Sequence, residues 1–183
     1  MSIVFPFSAK ELSYGDVTGS FPYKSSRGHQ YIYILYDYDS NAILVEPMKT
    51  RQAQEIASTW SKLYERLTRH GHKTSHFILN NEYSANLKRS FAKYVIAHQL
   101  VPPHMHLRNA AERAICTFKS HFLSGLATCI PDFPISEWDR LLPQAEMTLN
   151  HLCTARCNPN LSAYTYIYGL NDFNKVPLPP PRD

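Results

Sequence analysis

The sequence predicts an α/β fold with a mixed five-stranded sheet flanked by helices. Three observations lead to this prediction. The first third of the chain carries aromatic and β-branched segments separated by turn residues, which is typical of strands. The middle third alternates short apolar segments with amphipathic helical patterns, and the last third carries two long helical patterns. Strands first, alternation next and helices last is an order expected of an α/β domain.

The strongest strand signal is the segment QYIYILYDY at 30–38, which is aromatic and β-branched. The triplet DSN at 39–41 is a turn signal, so residues 42–48 are predicted to return as the second strand of a hairpin. The other predicted strands cover residues 14–18, 76–79 and 96–101.

Two helices are predicted in the middle of the chain. Thr50 can cap the first, and Gly71 is predicted to end it. Its apolar residues recur at one-face spacing; they are Ala53, Ile56, Ala57, Trp60, Leu63, Tyr64 and Leu67. The second helix is predicted at 84–94, with Leu87 and Phe91 facing inward.

Two longer helices are predicted after a loop that begins at Pro102. Asn109 is a plausible cap for the first of them, which buries a face at helical spacing; the residues are Ala111, Ile115, Phe118, Phe122 and Leu126. Ser136 and Asp139 resemble a capping box at the start of the last helix. Pro143 is expected to kink or divide that helix, because proline interrupts the helical hydrogen-bond ladder.

The length of 183 residues fits one domain with a real core, and 44% hydrophobic and 19% charged residues are typical of a globular protein. We expect an N-terminal linker at 1–12, a folded core at 13–170 and a proline-rich tail at 171–183. No apolar segment approaches 18 residues and no signal peptide is apparent, so we expect a soluble intracellular chain. The formal net charge of +4 is compatible with a phosphate-bearing partner without demonstrating one.

Cysteine and histidine give no clear metal signal. Cys153 and Cys157 lie near His151, but no second pair at zinc-ligand spacing accompanies them, which favours reduced structural thiols. Two His-x-His pairs, at 70–72 and 104–106, fall in predicted loops. We interpret them as surface or DNA-facing side chains.

Carboxylates are the stronger candidates for chemistry, because Mg²⁺ and Mn²⁺ prefer hard oxygen ligands. Asp16 lies near the end of the first strand, and a solvated strand-end aspartate is the plain alternative. Glu112 falls in the first turn of a predicted helix, where helix-start glutamates are common for electrostatic reasons alone. Lys119 lies seven residues further on, about two turns along the same face. Arg108 and Arg113 flank Glu112 and can contact phosphates or form a solvated basic face.

Four sequence blocks, read together, resemble the integrase catalytic core of Copia-type LTR retrotransposons, a member of the RNase H-like superfamily. The blocks are DVTG at 16–19, LNNE at 79–82, RNAAERAICTFK at 108–119 and WDRLLPQAEMTLN at 138–150. The resemblance covers about residues 16–169. Each block alone is a weak signal, and the combination is specific.

The resemblance implies an Asp, Asp, Glu triad that binds two Mg²⁺ (or Mn²⁺) ions. Asp16 and Glu112 match the first and third members, Lys119 matches the helix lysine that contacts the DNA end, and Arg113, Arg108 and Asn109 are expected to contact DNA. The second aspartate falls on Asn80. The 31 residues between Asn80 and Glu112 fall a little short of the family's usual spacing, which indicates a small deletion.

Asn80 offers one neutral carbonyl oxygen where the family has a charged carboxylate. This should weaken metal binding and lower the rate by roughly 10²-fold or more. Glu82, two residues on, would compensate if the strand continued, because alternate strand residues share a face.

The resemblance implies DNA 3′-processing and strand transfer, DNA and a homo-oligomer as partners, and a nuclear site of action. The chain is then a core from a longer polyprotein, or a remnant of one. The alternatives are a catalytically inactive integrase-derived domain that binds nucleic acid or partner subunits, and a hydrolase of the RNase H type, which the NAAER helix fits less well.

Overall fold

The computed structural model describes residues 11–72, 74–79, 84–100, 106–129 and 132–169. Five strands and five α-helices form in these segments, with a 3₁₀ helix before the fourth α-helix. The strands are β1 (Leu12–Val17), β2 (Tyr31–Asp37), β3 (Ala42–Met48), β4 (His76–Leu79) and β5 (Ala97–Leu100). The helices are α1 (Ala53–Thr68), α2 (Ala85–Lys93), α3 (His106–Ala127), the 3₁₀ helix (Ile135–Leu141), α4 (Leu142–Leu152) and α5 (Ala163–Tyr168).

The strands form one mixed sheet in the order β3-β2-β1-β4-β5. β2 pairs antiparallel with both β1 and β3, whereas β4 runs parallel to β1 and β5 parallel to β4. All five predicted strands are confirmed, with ends that differ by one or two residues. β1 begins at Leu12, one residue inside the segment predicted as a linker.

One face of the sheet packs against α1 and α2. Trp60 is fully buried there and meets Phe77 and Phe91 edge-on, with ring centroids 5.7 and 4.7 Å apart. The predicted apolar face of α1 is confirmed, because its residues from Ile56 to Leu67 enter this core. Ser84 caps α2 by accepting a hydrogen bond from the Leu87 amide.

The prediction that Thr50 caps α1 is wrong. Gln52 is the cap residue, and its side chain makes no capping bond. Thr50 instead donates its hydroxyl and amide hydrogens to Glu55, whose carboxylate also accepts the Lys49 amide. Glu55 reaches back from the first helical turn and satisfies the amides ahead of the helix, which leaves Thr50 no capping role. Gly71 follows the helix end with φ +84°, as expected for a residue in the left-handed region.

The other face packs against α3, the 3₁₀ helix and α4. Ile115, Phe118 and Phe122 are buried, which confirms the predicted face of α3. Asn109 does not cap this helix, because α3 begins three residues earlier, at His106. The side chains of 106–111 lie outside the described residues.

The capping box predicted at Ser136 and Asp139 does not form. Both residues lie inside the 3₁₀ helix, and Asp139 is buried and directed towards the β1–β2 connection. Pro143 divides the segment as predicted, since the 3₁₀ helix ends at Leu141 and α4 begins at Leu142 with proline in its first turn.

A short fifth helix, α5, was not expected from the sequence. Ser162 caps it, and its tyrosines pack on histidines from other elements: His72 lies 5.0 Å from Tyr166 and His151 4.1 Å from Tyr164, between ring centroids. No described helix is long and apolar enough to cross a membrane.

Candidate active site

Asp16 is the next-to-last residue of β1 and lies on the sheet face that α3 covers. Along β1 the side chains of Leu12 and Tyr14 enter the core beneath α3 and α4, and strand alternation places Asp16 on the same face. It is half-buried, and its Oδ1 accepts the Val17 amide hydrogen at 2.8 Å. The carboxylate is therefore held at the carboxyl end of β1.

β4 ends directly beside this position. It runs parallel to β1, and its last residue, Leu79, pairs with Gly15. The carboxyl ends of two neighbouring parallel strands thus meet at one edge of the sheet, which is the usual place for polar functional groups in such sheets. Asn80 and Glu82, for which sequence analysis predicted a defective ligand and a possible substitute, lie outside the described residues.

Helix α3 carries Glu112 and Lys119 across the same face. The two residues are seven positions apart, which is two helical turns and about 10 Å along the axis. Glu112 is exposed, and Lys119 is half-buried. Lys119 lines a cavity of about 300 Å³ together with the segment that follows the end of β1. The residues of that segment in the cavity wall are Thr18, Gly19, Ser20, Phe21 and Pro22. The fold therefore brings the lysine to the segment leaving β1.

Arg113 occupies a different side of α3. It lines an open cavity of about 630 Å³ with Thr117, Ser120 and Ser124, away from the Lys119 cavity. Arg108 and Asn109 lie on the backbone of α3, but their side chains are outside the described residues. The structure thus separates Arg113 from Lys119, although both had been assigned to DNA contact.

The carboxylates of Asp16 and Glu112 match the chemical type that Mg²⁺ prefers. Among the described residues, no three His, Cys, Asp or Glu side chains gather closely enough to hold a metal ion. The third member predicted from sequence, Asn80, is not among those residues. Asp16 and Glu112 therefore have the right chemical type for a divalent cation, but the described residues do not by themselves form a metal-binding group.

No protein-family model and no curated protein sequence matches the chain. Solved structures do. The HTLV-2 integrase catalytic core domain in complex with magnesium, in its trimeric form, matches with a TM-score of 0.64 and 21% identity over 86% of this chain and 95% of that one. The catalytic core domain of BIV integrase matches with a TM-score of 0.65 and 15% identity, over 86% and 93% of the two chains.

A third match is the intasome of simian T-cell lymphotropic virus in complex with PP2A regulatory subunit B56 gamma. It has a TM-score of 0.65 and 18% identity, and it covers 93% of this chain and 58% of that one. The chain has the fold of an integrase catalytic core. This RNase H-like fold, with its mixed five-stranded sheet and flanking helices, confirms the predicted fold class.

The integrase-like core contains buried polar residues whose hydrogen-bond partners were not predicted from the sequence. Asp139 is buried in the 3₁₀ helix, and its Oδ2 accepts hydrogen bonds from Ser25, Arg27 and His29. Burial raises the pKa of Asp139, but these bonds outweigh burial and hold the pKa below its ordinary value. Asp139 therefore anchors the β1–β2 connection as a carboxylate.

Glu146 and Asn150 are the other buried polar residues of this kind. Asn150 accepts the Ile43 amide hydrogen and donates to the Ile43 carbonyl, at 2.9 and 2.8 Å. Glu146 accepts the Val45 amide hydrogen at 2.8 Å, and Arg66 donates to both of its oxygens. Burial raises the pKa of Glu146, and Arg66 opposes that rise. The only sequence signal was the i, i+4 spacing of two polar residues inside an apolar helix.

These contacts give structural roles to three residues of the block WDRLLPQAEMTLN, namely Asp139, Glu146 and Asn150. Trp138 is fully buried, stacks on Phe21 with ring centroids 4.4 Å apart, and donates from Nε1 to the Tyr23 carbonyl. The block is thus structural: it fastens the β1–β2 connection at one end and the β3 edge at the other.

Proposed function

We propose that this chain is the catalytic core of a Copia-type LTR retrotransposon integrase, which processes the 3′ ends of element DNA and joins them to target DNA, with activity reduced by Asn80. The observation that carries this proposal is the arrangement at the end of β1. Asp16 lies on the face covered by α3, and the residues after it share a cavity with Lys119, two turns along the helix from Glu112. The integrase-core fold agrees with it.

In this proposal Asp16 and Glu112 hold the Mg²⁺ or Mn²⁺ ions. Bound divalent ions would activate the attacking oxygen and stabilise the leaving oxygen of a phosphodiester. Lys119 places an ammonium group next to the end of β1, where it would bind the phosphate backbone of the DNA end. The processed 3′-hydroxyl then attacks a target phosphodiester, and the displaced 3′ oxygen leaves in line. Arg113, Arg108 and Asn109 are proposed DNA contacts on the remaining surface of α3.

Asn80 would lower activity by removing one negative charge from a cluster whose role is to offset divalent cations. The neutral amide oxygen is a weaker ligand than a carboxylate, so we expect weaker metal binding and a rate lower by roughly 10²-fold or more. A homo-oligomer acting on DNA in the nucleus completes the proposal. The HTLV-2 core is itself described in trimeric and dimeric forms.

The second candidate is an integrase-derived domain that binds nucleic acid or partner subunits without catalysis. The observation that favours it is Asn80 itself, since a single lost carboxylate can disable the metal site while leaving the fold intact. Asp16, Glu112 and Lys119 are retained, which favours the enzyme.

A strand-transfer assay separates the two candidates. A short duplex that ends in an element terminus is incubated with target DNA in Mg²⁺ or in Mn²⁺. The unsubstituted chain is compared with Asn80→Asp and with an inactivated control that carries Asp16→Asn and Glu112→Gln. DNA binding is measured in parallel by fluorescence anisotropy.

We expect Asn80→Asp to join DNA at least 10²-fold faster than the unsubstituted chain, and the control to join none. Joining by the unsubstituted chain as fast as by Asn80→Asp, and abolished in the control, would show that another group, such as Glu82, replaces the missing carboxylate. DNA binding without joining by any version would favour the inactive candidate. Neither binding nor joining by any version would contradict the enzyme and leave, of the second candidate, only a domain that binds partner subunits.

A further inference from the structure

The connection between β1 and β2, here called the β1–β2 loop (residues 18–30), is unusually long. Two antiparallel neighbours in a sheet are commonly joined by two to five residues. This loop is also tightly ordered. The Ser26 amide donates to the Ser136 carbonyl, the Ser25 amide to the His29 carbonyl, and the Gly28 amide to the Ser25 carbonyl, all at 2.8 Å. Gly28 has φ +87°, a conformation that favours glycine.

Asp139 is the centre of this ordering. The Ser25 hydroxyl and the Arg27 guanidinium donate to its Oδ2 at 2.9 and 3.0 Å, and the His29 ring contacts the same atom. The carboxylate is fully buried. The buried Asp139 carboxylate therefore holds the inner side of the loop in place, and the outer side is presented in one conformation. A surface ordered before binding loses little conformational entropy when it binds a partner.

Two lysine side chains converge on the outer surface of the loop. An added Cβ at Gly28 would lie 3.9 Å from Lys24 Cε and 3.8 Å from Lys49 Cε, so the two lysine side chains converge above the glycine. Both lysines are exposed. Among the described residues, no carboxylate forms an ion pair with either ammonium group, whereas Lys62 and Arg66 each have one. Two exposed ammonium groups held side by side, with no ion pair to a described carboxylate, favour a partner that carries phosphate.

The lysine pair lies next to the candidate active site. Phe21 and Pro22, at the start of the loop, line the cavity that contains Lys119. Lys24 follows Pro22 by two residues, which span at most about 7 Å of chain. Tyr23, between them, is 58% exposed. The lysine pair therefore lies a short way along the loop from the cavity that Lys119 lines.

We propose that Lys24 and Lys49 form a docking site for the sugar–phosphate backbone of duplex DNA, continuous with Lys119. This inference rests on the proposed function, since it assigns a further part of the DNA path. Lysine ammonium groups bind phosphates as point charges without reading base sequence, so the site would fix the position of the duplex rather than its sequence.

The test measures binding of a 20-base-pair duplex by fluorescence anisotropy from 50 to 200 mM salt. It compares the unsubstituted chain with Lys24→Ala/Lys49→Ala. The matched control is Lys88→Ala/Arg89→Ala, which removes the same charge from exposed positions on α2, a helix that packs on the α1 side of the sheet. Thermal unfolding of each variant confirms that it is folded.

We expect the Lys24/Lys49 variant to bind about tenfold more weakly at 0.1 M salt, and its slope of log affinity against log salt to fall in magnitude by about 2, because two phosphate contacts are lost. The control should change affinity by less than about twofold. Equal losses in both variants would overturn the inference and leave the proposed function standing. No binding by the unsubstituted chain would overturn both.

Discussion

Gly15 shows how closely the residues around the candidate site are packed. Its α-carbon faces the core beneath α1, opposite the face that carries Asp16. An added Cβ would lie 2.3 Å from Tyr33 Oη and 2.7 Å from Phe77 Cζ, and both rings are buried. The glycine of the GDVTG block is therefore required by packing on one face, while its neighbour Asp16 serves the other.

We predict that Gly15→Ala destabilises the fold by about 1–3 kcal/mol, because the buried rings must move to make room for the methyl group. Chemical denaturation measures the change. Gly19→Ala is the matched control, since no atom lies within 4 Å of an added Cβ at Gly19, and it should change stability by less than about 0.5 kcal/mol.

Tyr33→Phe should partly rescue Gly15→Ala. The Tyr33 hydroxyl is buried, has no hydrogen-bond partner among the described residues, and is the atom nearest to the added methyl group. Removing it relieves one of the two clashes and leaves no donor or acceptor without its partner. The packing explanation would be contradicted if the loss of stability in the double variant equalled the sum of the losses in the two single variants.

At the scale of elements, α4 closes the outer edge of the sheet. β3 is the last strand on its side, and an exposed strand edge can pair with other chains. The Ile43 and Val45 amides, on the side of β3 away from β2, donate hydrogen bonds to Asn150 and Glu146. Pro47 is at the next such position of β3 and has no amide hydrogen to expose. Arg66 from α1 reaches Glu146 across this edge and joins the two helical layers.

We predict that Asn150→Ala lowers the free energy of unfolding by about 2–4 kcal/mol, since the buried Ile43 amide and carbonyl both lose their partner. Denaturation and static light scattering measure stability and association. Gln144→Ala on the same helix, at an exposed position, should change stability by less than about 0.5 kcal/mol. A stable, monodisperse Asn150→Ala variant would contradict the edge-closing role.

At the scale of the whole molecule, the proposed metal site would link ion binding to folding stability. A ligand that binds only the folded state stabilises it, by about 1.4 kcal/mol at ten times its dissociation constant. We predict that Mg²⁺ at that level raises the unfolding temperature of Asn80→Asp by about 3–6 °C, and that of the unsubstituted chain by less. Differential scanning fluorimetry with and without a chelator measures the difference.

Without metal, we expect the order of the two unfolding temperatures to reverse. In the proposed site, an aspartate at position 80 would add like-charge repulsion to Asp16 and Glu112, so metal-free Asn80→Asp should unfold at a lower temperature than the unsubstituted chain. The variant with Asp16→Asn and Glu112→Gln should not respond to Mg²⁺. An equal response in all three proteins would show that the metal binds elsewhere.

Sequence patterns predicted the site less completely than the fold. Strand propensity and helical periodicity are local, so β2, β3 and the buried face of α3 followed directly from the residues. Helix starts were less secure. Asn109 and Ser136 have good capping chemistry, yet α3 extends past the first and a 3₁₀ helix contains the second. Capping preference is worth about 1 kcal/mol, which tertiary packing readily overrides.

The sequence by itself determined the order of the five strands and the first four α-helices, the apolar faces of α1 and α3, and the spacing of Glu112 and Lys119 on one helix. Only the tertiary structure decided that β4 lies parallel beside β1, that Arg113 lies away from Lys119, and that the β1–β2 loop is fixed in place. The reason is distance along the chain. Ser25 meets Asp139 across 114 positions and Ile43 meets Asn150 across 107. A buried polar residue is identified by its partner, and no local pattern contains a partner so far away.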